Sequence, residues 1–344
     1  MKIGILNKIV NPDIETAAIP SDVEVICLNA NNETELCNYD LSVFESVIVS
    51  YKFKLSQITI DRLVNCKAIV CACVGFDNVD YLYAAKKGMK VFNVPDYGTN
   101  DVADHAIALL LSYTRRIVMY DTLLKADAIG NWNPRMVSPF HRISDKQIGI
   151  IGLGRIGTAV ALRAKAFGMR VSFYDPYKPN GYDKAFQFVK VESLQELVKN
   201  SDILTIHAPL NSETEKMINW NIIKIAKKRP IIVNTARGKI VDNSCICRAL
   251  KEDIIDAFLA DVLETEPPQN TDELMVMQKQ QKFANKIIIT PHAASYAEES
   301  QYEMRYKAAR HAYMAMINSG YKRDCINIIG SRNLEFADQG SAVG

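Results

Sequence analysis

The chain has 344 residues, 48% of them hydrophobic and 23% charged, and its 41 basic and 39 acidic side chains leave a net charge of +2. That near-balance, with no basic run, argues against a polyanion surface, so nucleic acid is not an expected partner. No stretch approaches the roughly 18 uninterrupted apolar residues of a membrane span, so no membrane association is expected either.

The chain opens with Met1-Lys2-Ile3-Gly4-Ile5-Leu6-Asn7-Lys8, a short apolar run broken by Asn and Lys that reads as a first buried strand, not a leader. At about 100–200 residues per domain the length suggests two domains. From Met1 to about Val94, short apolar runs alternate with amphipathic stretches. Residues 45–50 and 68–74 read as buried strands, and 61–65 and 79–87 as helices. Strands that are apolar throughout and alternate with helices indicate a parallel sheet covered on both faces.

Asn93-Val94-Pro95-Asp96-Tyr97-Gly98 carries turn chemistry and marks a crossing between domains. Beyond it, Asn100-Asp101 can cap a helix running to about Tyr120, and residues 130–145 read as loop. A second strand–helix series begins at Gln147, with strands predicted at 147–151, 170–174, 203–207, 230–234, 257–261 and 286–290. Six strands make a complete dinucleotide-binding sheet. After Ala297, a helical pattern over 298–318 returns the chain to the first domain. The eight cysteines (Cys27, Cys37, Cys66, Cys71, Cys73, Cys245, Cys247 and Cys325) form no C-x-x-C and do not cluster with histidine at ligand spacing. They read as buried free thiols of a cytoplasmic protein, with no metal site expected.

Gly152-Leu153-Gly154-Arg155-Ile156-Gly157 is a G-x-G-x-x-G between the apolar strand Ile148-Gly149-Ile150-Ile151 and a helix predicted from Thr158 to Phe167. In that setting Gly152 makes the tight turn, Gly154 admits the pyrophosphate, and Gly157 permits close helix–strand contact. Asp175 stands 18 residues after Gly157, directly after Val171-Ser172-Phe173-Tyr174. A carboxylate there accepts ribose hydroxyls and repels a 2′-phosphate, so NAD is the expected cofactor, with Lys178 a cation close by.

Hydride reduction of a ketone also needs a cation for the substrate carboxylate, an acid for the new alkoxide, and a group that tunes the acid. Three strand-end segments offer them. Asn234-Thr235-Ala236-Arg237-Gly238 presents Arg237, whose planar fork suits a carboxylate. Thr290-Pro291-His292-Ala293-Ala294 presents His292, able to exchange a proton near neutrality. Ala260-Asp261-Val262-Leu263-Glu264-Thr265-Glu266-Pro267-Pro268 presents Asp261, Glu264 and Glu266, and spacing alone leaves open which one reaches His292. His105, His141, His207 and His311 read as structural, with His207, ahead of Ala208-Pro209-Leu210, bordering the cofactor through backbone.

In this order the motifs resemble the D-isomer-specific 2-hydroxyacid dehydrogenases, over about Val70 to Asn327: G-L-G-R-I-G, a strand-end Asp, H-x-P-L, N-x-A-R-G, D-V-x-x-x-E-P and P-H. The resemblance implies that Arg237 binds substrate, that Glu266 is the acid before proline, and that His292 is the general acid/base. It implies further that Asp261 meets the nicotinamide amide and that the Val74-Gly75 amides bind the substrate carboxylate. His207, Ala208, Pro209, Thr235 and Ala236 join the glycine loop as expected cofactor contacts. The implied fold is α/β, a Rossmann-type doubly wound NAD domain (99–296) with a smaller flavodoxin-like α/β substrate domain (1–98 and 297–330) and a mobile tail (331–344). Family members close a cleft between the domains and pair as homodimers through the NAD domain.

Ala161-Leu162-Arg163-Ala164-Lys165-Ala166-Phe167-Gly168 and Pro291-His292-Ala293-Ala294 look most like the C-terminal-binding-protein branch of NAD-sensing corepressors. Cys71 stands where a basic residue is common and Ser295 where those corepressors carry an aromatic. This implies an altered substrate pocket and weakens a phosphorylated substrate. The expected activity is NAD-dependent interconversion of a small D-2-hydroxy acid and its 2-oxo acid. An NAD(H)-sensing regulator is the alternative, and the complete Arg237, Glu266 and His292 set argues against it.

Overall fold

Short strands with every residue buried set the architecture, because a strand with no solvent face must be covered on both sides by helices. The computed structural model describes residues 1–327. They divide into two units, Met1–Gly98 with the segment from Ala297 onward, and Thr99–Tyr296. Residues 328–330 and the predicted tail 331–344 lie outside the described residues.

The first unit is built on β1 (Lys2–Asn7), β2 (Glu24–Ala30), β3 (Ser46–Val49), β4 (Ala68–Cys71) and β5 (Lys90–Asn93). All pairings are parallel, in the order β2-β1-β3-β4-β5, the flavodoxin-like arrangement. β4 is shorter than the predicted 68–74 because the chain turns at once, the Cys73 N–H donating to the Cys71 carbonyl at 2.8 Å. The helix predicted at 61–65 forms earlier, at Gln57–Arg62, and ends on Leu63. The one predicted at 79–87 is confined to Tyr81–Lys86, capped by the Asp80 side chain accepting from the Tyr83 N–H. Helix Glu298–Ile317 covers β3 and β4 with Ala308, Ala309, Ala312 and Ala315, whose small side chains let it lie close to the sheet.

The second unit carries β6 (Gln147–Ile151), β7 (Arg170–Tyr174), β8 (Val189–Lys190), β9 (Ile203–Ile206), β10 (Ile231–Asn234), β11 (Ala257–Ala260) and β12 (Ile287–Ile289). The order is β12-β11-β10-β9-β6-β7-β8, all parallel, a doubly wound Rossmann-type sheet. Six of these strands are the predicted ones; β8, two residues on the edge, is too short to show a period. The winding reverses between β6 and β9, so ligands belong at the carboxyl ends of those strands.

The single helix expected from Asn100 to Tyr120 is two, Thr99–Thr114 and Ile117–Ala126, broken at Arg116 with φ +57°. Arg116 packs its guanidinium 4.4 Å from the Tyr113 ring centroid, and the Tyr113 hydroxyl donates to Asp256 at 2.8 Å. These tertiary contacts accompany a break that helical periodicity does not announce. No helix among the described residues is long and apolar enough to cross a membrane. The thiol expectation needs correction in part: Cys66, Cys71, Cys73, Cys245 and Cys247 are buried, Cys27 and Cys325 are partly covered, and Cys37 is exposed.

Candidate active site

Gly152 follows β6 at φ +87°, a conformation that disfavours any side chain, and a Cβ there would also lie 2.8 Å from the Ala208 nitrogen. The glycine turn is thereby seated on the His207-Ala208-Pro209 loop that leaves β9. A Cβ on Gly157 would overlap the Gly152 carbonyl, so only glycine fits the start of the helix. Gly154, with open space where its Cβ would stand, is the N-cap of helix Arg155–Ala166. That helix begins three residues before the predicted Thr158, which places Arg155, Ile156 and Gly157 in the first turn, where N–H groups have no acceptor in the helix.

Asp175 ties this turn to the loop after β7, accepting from the Leu153 N–H at 2.8 Å and the Tyr177 N–H at 3.0 Å. Lys178 is turned aside, with its Nζ 4.7 Å from the Tyr182 ring centroid. His207 has Nε2 2.8 Å from Thr205 Oγ1, while its Nδ1 is buried without a hydrogen-bond partner among the described residues. Burial pushes this imidazole down to about 3, so it is neutral. Thr235 Oγ1, just past β10, is likewise buried without a partner among the described residues. An orphaned buried polar group costs about 1–3 kcal/mol. Two of them just past the carboxyl ends of β9 and β10, the strands that follow β6 in the sheet, fit a dinucleotide that supplies partners.

The carboxyl ends of β10, β11 and β12 bring the three predicted segments together. Asn234 frames the first, its Oδ1 accepting from the Ala236 N–H at 3.1 Å and its Nδ2 donating to the Arg237 carbonyl at 3.0 Å. Arg237 Nη1 donates to the Ala236 carbonyl at 2.9 Å. A Cβ on Gly238 would overlap the Leu263 carbonyl, so the arginine loop rests directly on the backbone after β11. There Glu266 Oε1 accepts from the Leu263 N–H at 2.9 Å, and Oε2 lies 2.7 Å from His292 Nδ1. These two side chains are only 30% and 19% exposed. Burial works to raise the Glu266 pKa, but the His292 hydrogen bond and charge, the Leu263 N–H and Arg237 outweigh it and hold the carboxyl below its usual range.

The three acids that spacing left open now separate. Glu266 meets the histidine, whereas Glu264 pairs with Lys216 at 3.1 Å. Asp261, 1% exposed, accepts from Thr290 Oγ1 at 2.6 Å and from the Ala293 and Ala294 N–H groups at 2.8 and 2.9 Å. Its backbone carbonyl takes the His292 N–H at 2.8 Å, and His292 itself sits at φ +57°. The acid expected to meet the nicotinamide amide is thus engaged in clamping the histidine turn.

His105, read from the sequence as merely structural, belongs to this network: its Nε2 lies 2.9 Å from Thr290 Oγ1 and 3.6 Å from Asp261 Oδ1. Since the Thr290 hydroxyl gives its one proton to Asp261, it accepts from His105, which places the imidazole proton on Nε2. The available signal was position: three residues after Val102 and four before Leu109, His105 shares a buried helix face. His311 keeps its structural reading, stacked on Phe92 and 2.8 Å from the Tyr321 hydroxyl.

In the first unit, the loop after β4 has a donor for each successive carbonyl. The Val94 N–H serves Cys73 at 3.0 Å, Asn93 Nδ2 serves Val74 at 2.6 Å, and Cys73 Sγ serves Gly75 at 2.9 Å. The amides of Val74 and Gly75 have no acceptor among the described residues, and such a pair can take an anion. Cys71, expected to alter the substrate pocket, is instead 0% exposed within the core of this unit. Its position in β4 explains why.

The profile of the D-isomer specific 2-hydroxyacid dehydrogenase NAD binding domain matches residues 107–294, which hold the glycine turn, Asp175, Arg237, Glu266 and His292. The chain belongs to this family. It is 37% identical over 232 residues to a glyoxylate reductase of Korarchaeum cryptofilum, covering 67% of each chain. It is 36% identical over 255 residues to a D-3-phosphoglycerate dehydrogenase of Methanocaldococcus jannaschii, covering 74% of this chain and 46% of that protein. The solved D-lactate dehydrogenase of Aquifex aeolicus, complexed with NAD and lactic acid, superposes with a TM-score of 0.82 at 27% identity over 94% of this chain and 99% of that one. This 2-hydroxyacid dehydrogenase is therefore an oxidoreductase of the 2-oxo acid reducing type with NAD as its cofactor.

Proposed function

We propose that the enzyme interconverts a small D-2-hydroxy acid and its 2-oxo acid, with His292 as general acid/base, Glu266 as its partner and Arg237 as the carboxylate anchor. The observation that carries this reading is the 2.7 Å Glu266–His292 pair on the same strand ends as Arg237. Gly152, Gly154, Arg155, Ile156 and Gly157 would hold the pyrophosphate and Asp175 the adenosine ribose. His207, Ala208, Pro209, Thr235 and Ala236 would line the remainder. When bound, the nicotinamide supplies or accepts the hydride.

The chain's own residues handle charge and proton. Arg237 cannot deprotonate, so it neutralises the substrate carboxylate and polarises the neighbouring carbonyl throughout. His292 gives its Nδ1 proton to a hydrogen bond with Glu266, which fixes the ring and leaves Nε2 as the atom that protonates the new alkoxide or deprotonates the alcohol. Glu266, held ionised, offsets the imidazolium charge. Asp261 serves as the clamp of the histidine turn, and the Val74 and Gly75 amides are assigned to the substrate carboxylate.

The relatives named for glyoxylate, lactate and 3-phosphoglycerate share a 2-oxo or 2-hydroxy acid. Glyoxylate, pyruvate, hydroxypyruvate, 2-oxoglutarate and branched or aromatic 2-oxo acids, followed by NADH absorbance, form the test. Turnover of at least one small member is expected. Tight NADH binding with every acid inert would overturn the enzyme reading in favour of a sensor.

A homodimer through the second unit is part of the same proposal. Helix Ile117–Ala126 buries none of its residues, and Ile117, Val118, Ile129, Trp132 and Met136 along and beyond it are 54%, 48%, 94%, 79% and 48% exposed. Apolar surface concentrated in one segment calls for a partner. Sedimentation should give twice the 38.6 kDa chain mass, and the double substitution Ile129→Glu, Trp132→Glu should halve it. A monomer at micromolar concentration for the unaltered protein refutes this.

A further inference from the structure

In the second sheet β6 lies between β7 and β9, so the loops leaving β7 and β9 flank the glycine turn that leaves β6. From the β7 side comes Asp175-Pro176-Tyr177, and from the β9 side Leu210-Asn211-Ser212-Glu213. The Tyr177 hydroxyl donates to the Glu213 carboxylate, joining the two loops by their side chains.

Both loops are fixed at their roots. Asp175 holds the Leu153 and Tyr177 N–H groups at 2.8 and 3.0 Å. Asn211 Oδ1 accepts from the N–H groups of Glu213 and Thr214, both at 3.0 Å, and Thr214 Oγ1 donates to the Pro209 carbonyl at 2.6 Å. Burial, and after it Glu213, push the Tyr177 phenol up to about 12, so it remains a hydrogen-bond donor across the neutral range. Two basic side chains of this region are engaged elsewhere, Lys178 over the Tyr182 ring and Lys190 on the Lys178 carbonyl at 3.2 Å, while Arg155 stands in the first turn of the helix that the glycine turn opens.

We propose that Tyr177 and Glu213 form a strap across the adenosine end of the cofactor site, and that Glu213 acts with Asp175 to select NAD(H) against NADP(H). The inference rests on the reading of Asp175 and the glycine turn as the adenosine site. A 2′-phosphate adds about −1.5 to −2 charge. At this rim it would meet two carboxylates, with Lys178 and Lys190 held by other partners, whereas an unphosphorylated ribose offers hydroxyl donors to the same oxygens. The strap also has to part for the adenosine to leave, so it slows cofactor release.

The test compares NADH and NADPH in kcat/KM with one oxo acid, and in direct binding by nicotinamide fluorescence, for the unaltered enzyme and the variants Glu213→Gln, Tyr177→Phe and Asp175→Ser. Glu213→Gln is expected to raise the NADPH:NADH ratio about tenfold, mainly through NADPH. Tyr177→Phe keeps the charge but releases it from the rim, so the ratio rises less while NADH dissociates faster. Asp175→Ser shifts the ratio most. A response to Asp175→Ser with none to Glu213→Gln refutes Glu213 as a selector and leaves the adenosine site intact. A response to Glu213→Gln with unchanged NADH release in Tyr177→Phe refutes the strap. No response to any of the three, Asp175→Ser included, refutes the site reading itself.

Discussion

His292→Asn is expected to lower kcat for 2-oxo acid reduction by about 10³-fold, within the range of a lost general acid, while NADH binds with nearly unaltered affinity. Asparagine is the informative choice because His292 sits at φ +57°, a conformation asparagine tolerates and most residues resist. The backbone N–H can therefore keep its 2.8 Å bond to the Asp261 carbonyl, and the turn held by Asp261 persists. What is removed is the imidazole and its 2.7 Å contact with Glu266. Stopped-flow turnover and fluorescence titration of NADH check the two halves separately. A variant that keeps a tenth of the original kcat, or loses NADH binding and thermal stability together, would make His292 structural. Glu266→Gln preserves the shape of the contact but removes the negative charge that offsets the imidazolium. It should cost roughly tenfold in kcat.

Arg237→Gln should reduce kcat/KM by about 10²–10³-fold, with KM for the oxo acid rising and kcat falling together. Hydrogen bonds to charged groups are worth about 1.5–3 kcal/mol each, and each 1.4 kcal/mol is a factor of ten. Both parameters respond because the guanidinium acts on the carboxylate before and during hydride transfer. Lysine should recover little, since a point charge does not reproduce the planar fork. The loop should survive the substitution: Asn234 holds the backbone of Ala236 and Arg237, and Gly238 rests on the Leu263 backbone, none of which uses the guanidinium. Steady-state kinetics on both variants decide it. A KM for the oxo acid within threefold of the original, in either variant, would remove Arg237 from the substrate site.

Much of the fold is written in local pattern. Apolar strands of four or five residues, separated by helical stretches and turn residues, fix a parallel α/β sheet without any long-range knowledge, because burial on both faces leaves no other way to cover them. The glycine triplet gains its meaning from the strand before it and the acid after it, all within 24 residues from Gly152 to Asp175. Elements whose limits depend on tertiary contact were less legible. The break at Arg116 is accompanied by packing on Tyr113, itself bonded to Asp256, and β8 is a two-residue edge strand with too few residues to carry a period.

By itself, then, the sequence determined the α/β class, the strand count of the second sheet to within one, the cofactor loop, and the three segments that carry a guanidinium, an imidazole and carboxylates. Spacing alone left open which carboxylate serves the imidazole, and only the tertiary structure separated the three. Asp261, Glu264 and Glu266 lie within six residues of one another, but one is drawn into the Thr290–Ala294 turn, one to Lys216, and one to His292. The same holds for His105, placed under Thr290 by the packing of its helix. The physical reason is direction: periodicity reports which side of a strand or helix is apolar, whereas the aim of a side chain in an irregular loop follows from turns and contacts set by residues distant along the chain.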